Sequence, residues 1–339
     1  MSRDVFRVSV IGTGAIAQVV HLPTLSQLPG VRIESLCDVD EQKSKALANR
    51  FGIPKVCRRE EEVFSDPDID GVIICVPTLQ HEPLAIAALD AGKHVLVEKP
   101  IALSADGAAR VVEAAERADR TLMVAMNNRY RPDVMSLKPF ISGGELGDVF
   151  FMKGAALNKK VRHVRPTWRH TPQTAGGGAL MDLGVQTLDL CLWLLDYPAV
   201  RRVHAHGHPG ENMDVEDSAL ATFELDGGRI IYVEVTWTLQ AQRDRHYLQL
   251  LATRGSAAFP PLAVSKEVEQ GLLDVTPPMT AGGQGNLFTV AYRQQLRDFV
   301  ATARGAQSYQ PPREQIYLMR LIELAYQSIR ERRVVEVPA

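Results

Sequence analysis

The sequence predicts an α/β Rossmann domain, built on a doubly wound parallel sheet, followed by an α+β domain with an open, mostly antiparallel sheet. Through the first third of the chain, short and continuously apolar runs alternate with helical patterns, as in a parallel sheet covered on both faces. After Asn127 the apolar runs become longer and alternate with polar residues, which favours antiparallel strands. We therefore expect one domain over residues 1–126 and a second over residues 127–339.

The composition argues against several classes of protein. The chain has 339 residues, 45% of them hydrophobic, and a formal net charge of −2, so it offers no general attraction for nucleic acid or an anionic membrane. No apolar run approaches the roughly 20 residues of a membrane span, and the N-terminus lacks a signal-peptide pattern. The four cysteines have no CxxC spacing, which favours reduced, buried thiols. We expect a cytoplasmic protein without a nucleic-acid or membrane partner.

The elements of the first domain follow from the period of the apolar residues. Short β-branched runs predict strands, and apolar residues at helical spacing predict helices. Gly52 and Gly92 stand where two of the helices can end. The predicted strands are 5–11, 31–37, 71–76, 95–97 and 122–126, and the predicted helices run from the glycine-rich turn to about 28, and over 41–51, 81–91 and 104–119.

The second domain is predicted from longer strands and three helices. Asp226-Gly227-Gly228 lies between two alternating runs, which is a strong hairpin signal. The predicted strands are 149–157, 219–225 and 230–239, with helices over about 178–195, 287–302 and 313–330. The stretch 263–286 contains glycine and proline without a clear period, and we predict a loop there.

A dinucleotide site is predicted at the turn after the first strand. In Gly12-Thr13-Gly14-Ala15-Ile16-Ala17 the first glycine permits a tight turn, the second lets the backbone approach a pyrophosphate, and Ala17 allows close helix packing. We expect Gly12, Gly14, Ala15, Ile16 and Ala17 to contact the cofactor. Asp38, at the end of the second strand, can accept hydrogen bonds from the ribose hydroxyls. The cofactor is then NAD or NADP; Asp38 favours NAD because it repels a 2′-phosphate, while Lys43 or Lys45 leave NADP open.

A longer segment carries a more specific signal. ICVPTLQHEPLAIAALDAGKHVLVEKP, residues 74–100, resembles the glucose–fructose oxidoreductase/inositol dehydrogenase (Gfo/Idh/MocA) family. Further segments resemble the same family in the same order: GTGAIAQVVHLP near the start, MNNRYRP at 126–132, GGGALMDLGVQTLDL at 176–190, and VEDSALATFEL from 215. The resemblance therefore extends over almost the whole chain.

The resemblance implies that nicotinamide and substrate meet in a cleft between the domains. The substrates expected from it are sugars, sugar derivatives and cyclic polyols, and a homodimer or homotetramer is expected through the face of the second sheet. By position, Glu98 reaches the nicotinamide ribose, Lys99 reaches the reacting carbon, and Asp182 faces Lys99. The other positions implied to lie at the cofactor or substrate are Val76, Pro77, Thr78, His81, Asn127, Arg129 and Trp168.

Several residues of the sequence are candidates for proton transfer. Lys99 can move a proton if burial and neighbours adjust its pKa, and Asp182 can orient its ammonium. Four residues after the aspartate, many family members carry an acid/base histidine, but this chain has Gln186, whose amide cannot exchange a proton at ordinary pH. We therefore expect Gln186 to bind substrate hydroxyls. His163, His170 and, more weakly, Tyr130 are candidate replacements.

Other interpretations of the sequence remain open. The helical stripe of Asp182, Gln186, Asp189 and Trp193 needs polar partners, and for Asp189 we favour a structural network. Three alternating histidines at 204–208 lack an evident fourth ligand, so we expect no metal. Two other functions are considered: glycoside hydrolysis or elimination with a tightly bound NAD, and a non-catalytic dinucleotide or sugar sensor, which the glutamine at 186 would suit.

Overall fold

The computed structural model of the chain describes residues 5–161, 167–211, 213–278 and 286–338. Backbone contacts divide the chain into two units: Met1–Tyr130 with Gly285–Ile316, and Arg131–Gln284 with Tyr317–Ala339. Each unit is built around one sheet.

The sheet of the first unit has, among the described residues, six parallel strands in the order β3-β2-β1-β4-β5-β6. They are β1 (Phe6–Ile11), β2 (Val31–Cys37), β3 (Lys55–Cys57), β4 (Gly71–Ile74), β5 (His94–Val97) and β6 (Leu122–Val124). The strand order reverses between β1 and β4, and doubly wound sheets bind ligands at the carboxyl ends of such a pair. The predicted doubly wound parallel sheet is confirmed.

Helices connect these strands, and α2 (Glu41–Phe51) and α5 (Ala105–Ala118) begin at side-chain caps. The Asp40 side chain accepts a hydrogen bond from the Lys43 amide, and Ser104 accepts one from the Gly107 amide. The helical elements are a π-helical turn (Ala17–His21), α1 (Leu22–Leu25), α2 (Glu41–Phe51), α3 (Glu60–Phe64), a 3₁₀ turn (Thr78–Gln80), α4 (His81–Asp90), α5 (Ala105–Ala118) and a 3₁₀ turn (Asn127–Tyr130).

The second sheet has, within the part of the chain described, nine strands in the order β14-β13-β12-β11-β7-β10-β9-β8-β15. They are β7 (Val149–Lys159), β8 (Val200–Pro209), β9 (Glu216–Leu225), β10 (Ile230–Leu239), β11 (Arg245–Ala252), β12 (Gly255–Phe259), β13 (Ala263–Val268), β14 (Gly271–Asp274) and β15 (Val335–Glu336). β7 and β10 are parallel, and the other neighbours are antiparallel. The mostly antiparallel sheet is confirmed, with the predicted hairpin at 226–228 joining β9 to β10.

Helices of the second unit cover one face of this sheet. Burial alternates along β9, where Asp217, Ala219, Ala221 and Phe223 are buried and the residues between them are not. The helical elements are α6 (Pro132–Ser142), a 3₁₀ turn (Trp168–His170), α7 (Pro172–Ala175), a π-helical turn (Leu180–Gly184), α8 (Val185–Leu194), α9 (Leu287–Ala303) and α10 (Glu314–Glu331); α9 belongs to the first unit. α8 packs on β7 and β10.

Two expectations about the second half of the chain need correction. The stretch 263–286, predicted to be a loop, contains β13 and β14; every residue of β14 is exposed, so no apolar period marks it. α9, expected in the second domain, lies in the first unit because its apolar face joins the core around β1, with Phe299 against Phe6 at 6.2 Å between ring centroids. The period of a helix shows that it has an apolar face, but not which sheet that face covers.

Candidate active site

The glycine-rich turn has the geometry that a pyrophosphate requires. Gly12 has a φ of 90°, and a Cβ there would lie 2.5 Å from the carbonyl oxygen of Cys75, just after β4. A Cβ at Gly14, by contrast, would meet no atom of the described chain within 4 Å, so the space beside this residue is open. Helical backbone begins at Ala15, and the N–H groups of a first helical turn are available to an anion. These features fit the phosphates of a dinucleotide.

Asp38 stands beside this turn at the end of β2. One carboxylate oxygen accepts hydrogen bonds from the amide and hydroxyl of Thr13, at 2.6 and 2.8 Å, and the other accepts the Asp40 amide at 2.8 Å. Lys43 lies 3.3 Å from the carboxylate. Burial opposes ionisation, but these hydrogen bonds and Lys43 lower the pKa of Asp38. An anionic carboxylate is thus held where adenosine ribose hydroxyls are expected.

The segment after β4 is held by His81. Val76 and Pro77 are half-buried and Thr78 is buried. The two ring nitrogens of His81 lie 2.6 and 2.9 Å from the carbonyl oxygens of Pro100 and Val76, and burial lowers the pKa of His81. His81 therefore ties this segment to the one after β5. That these four residues line the cofactor stays a prediction.

The segment after β5 places Glu98 and Lys99 at the same edge of the sheet as the glycine-rich turn. Glu98 is buried and lies 2.8 Å from the ring Nε2 of His21. The Lys99 side chain is half-buried, and its amide donates to the second carboxylate oxygen of Glu98 at 3.3 Å. After β6, Asn127 is buried, and Arg129 is paired with Glu314 at 3.1 Å.

The second unit has a pocket of about 630 Å³ beside the π-helical turn. Asp182 reaches this pocket, and its carboxylate accepts a hydrogen bond from the indole nitrogen of Trp237 on β10 at 3.2 Å. His170 packs its ring edge against Trp237, with centroids 6.0 Å apart, and also lines the pocket. The lining carries charges of both signs, from Lys159, Lys160, Arg169, Asp182, Glu211 and Asp217. Two predicted site residues, Asp182 and His170, therefore share one pocket.

Neither Gln186 nor Trp168 is among the residues that line this pocket. Gln186 is half-buried in the first turn of α8, and Trp168 stacks under the Arg169 guanidinium at 4.3 Å. His163 lies outside the described residues. Asp189 is buried and accepts a hydrogen bond from the hydroxyl of Tyr197, which agrees with the structural role we favoured.

Two residues that the sequence did not single out hold the start of the Asp182 helix. The Glu216 carboxylate accepts the amides of Gly178, at 3.1 Å, and Leu180, at 2.9 Å. The Tyr326 hydroxyl donates to Glu216 at 2.8 Å and accepts the Met181 amide at 3.2 Å. A Cβ at Gly178 would lie 1.9 Å from the Glu216 carbonyl oxygen, so a glycine is required there. The glycine run at 176–178 was the available signal, but its partners are distant in sequence.

The described residues offer neither a metal-ligand cluster nor a helix that could span a membrane. Over the described ranges, no three His, Cys, Asp or Glu side chains are grouped as metal ligands would be. His204 and His206 pack ring against ring at 4.6 Å, and His208 lies 3.4 Å from Asp217. No helix in those ranges has the length and hydropathy that crossing a bilayer demands.

Comparison with protein families agrees with this geometry. Residues 6–126 match the oxidoreductase family with an NAD-binding Rossmann fold, and residues 134–258 match the GFO/IDH/MocA C-terminal domain. The fold, the glycine-rich turn and Asp38 thus define an oxidoreductase with an NAD-binding Rossmann domain. The chain belongs to the Gfo/Idh/MocA family.

Relatives with named activities cover much of the chain. D-glucoside 3-dehydrogenase of Escherichia coli K12 is 28% identical over 256 residues, covering 70% of this chain and 72% of the relative. Inositol 2-dehydrogenase of Paracoccus denitrificans is 31% identical over 240 residues, covering 68% and 66% respectively.

Solved structures agree over nearly the full length. The structure of GenD2 from gentamicin A biosynthesis, in complex with NAD, is 27% identical with a TM-score of 0.86, covering 99% of this chain and 97% of that one. Levoglucosan dehydrogenase in complex with NADH and L-sorbose has a TM-score of 0.88 at 22% identity, covering 99% and 100%, which shows a shared fold.

Proposed function

We propose that this oxidoreductase transfers a hydride between NAD and a hydroxyl-bearing carbon of a sugar, sugar derivative or cyclic polyol. The observation that carries the proposal is the Asp182–Trp237 pair on the wall of the second unit's pocket. A carboxylate beside an aromatic ring suits a polyhydroxylated substrate, since the carboxylate accepts hydroxyl protons and the ring contacts C–H groups. The relatives named for glucoside and inositol dehydrogenation support the same substrate class.

The residues of this chain divide the work of the reaction. NAD, when bound, supplies the hydride acceptor. Gly14 and the first turn of the helix hold its phosphates, and Asp38 holds the adenosine ribose. Lys99, as the neutral amine, takes the hydroxyl proton during oxidation, and as the ammonium it returns this proton during reduction. Asp182 and Gln186 orient the substrate hydroxyls.

The surroundings of Tyr130 and His170 bear on whether either residue replaces the acid/base histidine found in many members of the family. Burial raises the pKa of Tyr130, so its phenol stays protonated and is a poor base. His170 lines the pocket with Asp182, and its Nδ1 accepts the Thr167 amide at 2.8 Å, so the neutral ring carries its proton on Nε2 and can donate a hydrogen bond from there. We therefore propose that His170 donates a hydrogen bond to a substrate hydroxyl and that Lys99, rather than His170 or Tyr130, transfers the proton.

Substitution of Lys99 tests the assignment. Lys99→Met is expected to bind NADH like the wild type but to lose turnover with sugars and inositols, followed by NADH absorbance. Lys93→Met is the matched control, because Lys93 precedes β5 and Lys99 follows this strand. The Lys93 ammonium donates hydrogen bonds to the carbonyls of Asp66 and Ile69, so loss of the ammonium affects stability. Wild-type turnover by Lys99→Met would contradict the assignment.

The same assays on the wild-type protein distinguish the alternative functions. Product formed without net NADH, by protein that carries bound cofactor, would indicate glycoside hydrolysis or elimination. Cofactor binding without any turnover would indicate a sensor.

We also propose a homo-oligomer formed through the uncovered face of the second sheet. Tyr232 and Tyr247 flank Lys153 there, at 4.9 and 5.5 Å from its ammonium, and Leu251 on the same face is 46% exposed. Aromatic and apolar side chains on an uncovered face suit an interface. Leu251→Arg is expected to yield monomers in analytical ultracentrifugation, and a monomeric wild type would overturn the proposal.

We propose a cytoplasmic location as well. The four cysteines are buried and form no disulfide, which supports a reducing compartment.

A further inference from the structure

His21 and Glu98 form a buried pair beneath the expected nicotinamide site. The ring Nε2 of His21 lies 2.8 Å from one carboxylate oxygen of Glu98. The His21 side chain is wholly buried and that of Glu98 is 9% exposed. Buried charges are costly unless they are paired, so the contact has to be accounted for chemically.

The surroundings of the pair make it ionic. Burial alone would lower the pKa of His21, but Cys75 and Glu98 raise it to about 10. Burial raises the pKa of the Cys75 thiol, and the neighbouring His21 lowers it. His21 in turn lowers the pKa of Glu98 against the effect of burial. At neutral pH an imidazolium therefore faces a carboxylate.

The pair also joins two parts of the cofactor site that are distant in sequence. His21 ends the π-helical turn that continues from the glycine-rich turn, whereas Glu98 follows β5. On another side the His21 ring packs edge-on against Tyr292 of α9, with centroids 5.5 Å apart. Its Nδ1 has no hydrogen-bond partner among the described residues. The ring is thus fixed by packing, with its Nε2 directed at Glu98.

His21 contacts one carboxylate oxygen of Glu98, and the other oxygen can accept hydrogen bonds from other groups. That second oxygen accepts the Lys99 amide at 3.3 Å, and a carboxylate oxygen has two acceptor positions. We propose that His21 is a positioning residue, which fixes Glu98 so that its second oxygen can accept a hydrogen bond from the nicotinamide ribose. The inference rests on the proposed function, since it requires a nicotinamide dinucleotide at this edge of the sheet.

The affinities for two ligands, NADH and ADP, distinguish this positioning role of His21 from a purely structural role in its helix. ADP carries the adenosine ribose and the phosphates but lacks the nicotinamide ribose. His21→Leu is expected to weaken NADH binding about tenfold, as expected for loss of a charge-assisted hydrogen bond network, with ADP binding within about twofold of wild type. His21→Gln keeps an N–H donor, is more certain to fold, and is expected to weaken NADH binding by a smaller factor.

Two further variants complete the experiment, with affinities measured by calorimetry. Adding His21→Leu to Glu98→Gln should cause no further loss of NADH affinity, because His21 acts through Glu98. His94→Gln is the control: His94 begins the strand that Glu98 follows, and its ring accepts the Thr121 amide, so NADH affinity should not change. Equal weakening of ADP and NADH, or unchanged NADH affinity in both His21 variants, would overturn the inference alone. Wild-type protein that binds no NADH would overturn the proposed function and the inference with it.

Discussion

Asp38 accepts both the amide and the hydroxyl of Thr13 through a single carboxylate oxygen, at 2.6 and 2.8 Å. The contact links the end of β2 to the glycine-rich turn and fixes the position of a negative charge. Because Thr13 is wholly buried, the carboxylate cannot turn away without breaking both hydrogen bonds. The fold therefore holds in place the negative charge that favours NAD over NADP.

The first prediction concerns cofactor choice. The wild-type protein should bind NADH at least about tenfold more tightly than NADPH, because the Asp38 carboxylate accepts ribose hydroxyls and repels a 2′-phosphate. Asp38→Asn should shift this preference towards NADPH, since Lys43 then has no carboxylate opposite it at 3.3 Å. Asp40→Asn is the control, because asparagine caps α2 equally well. Fluorescence titration with both nucleotides measures the ratio, and a wild-type preference for NADPH would refute the prediction.

The second prediction separates the two glycines of the turn. Gly12→Ala should destabilise the fold by about 2 kcal/mol or more, because the new Cβ would lie 2.5 Å from a carbonyl oxygen at a φ of 90°. Gly14→Ala should leave the melting temperature unchanged, since its Cβ meets open space, but should weaken NADH binding about tenfold. Thermal denaturation and nucleotide titration of both variants provide the check. If Gly14→Ala bound NADH as tightly as wild type, the pyrophosphate would have to lie elsewhere.

The third prediction concerns the start of the Asp182 helix. Tyr326→Phe removes the hydroxyl that accepts the Met181 amide and donates to Glu216, and should cost about 1 kcal/mol of stability. Because Asp182 follows directly, kcat should fall severalfold. Tyr317→Phe is the matched control, because Tyr317 lies on the same helix and its hydroxyl accepts the Val200 amide at 2.6 Å. In this variant kcat should change less than twofold. Equal effects of both variants on kcat would argue against this role for Tyr326.

The sequence predicted those parts of the molecule whose signals are local. The turn at 12–17, Asp38 after β2 and the β9–β10 hairpin are each specified by a few adjacent residues, and the fold class followed from the period of the apolar runs. β14 escaped prediction because it is a wholly exposed edge strand without an apolar pattern. α9 was assigned to the other domain because amphipathic spacing does not identify the sheet that the helix covers.

The parts of the site that were missed depend on partners distant in the chain. Trp237 binds Asp182 across 55 residues, and Glu216 and Tyr326 reach the glycines at 176–178 from a strand and a helix that follow later. Residue types alone gave no reason to pair them. In the sequence His21 is only one residue of the GTGAIAQVVHLP motif, since a histidine after a glycine-rich turn has no evident partner until the fold places Glu98, after β5, beside it.

The last prediction concerns the pH dependence of stability. The pKa of His21 is raised from 6.5 to about 10 in the folded protein, so the stability that its protonation contributes is complete below pH 6.5 and is lost as the pH rises towards 10. The groups around it are Glu98, Cys75 and Tyr292; burial raises the pKa of Tyr292 well above its usual value, so it stays neutral over most of this range. Denaturant unfolding between pH 7 and about 10 should therefore show a steeper loss for wild type than for His21→Gln, which has no group to titrate there. Parallel curves would mean that His21 is neutral and that its contact with Glu98 is not an ion pair.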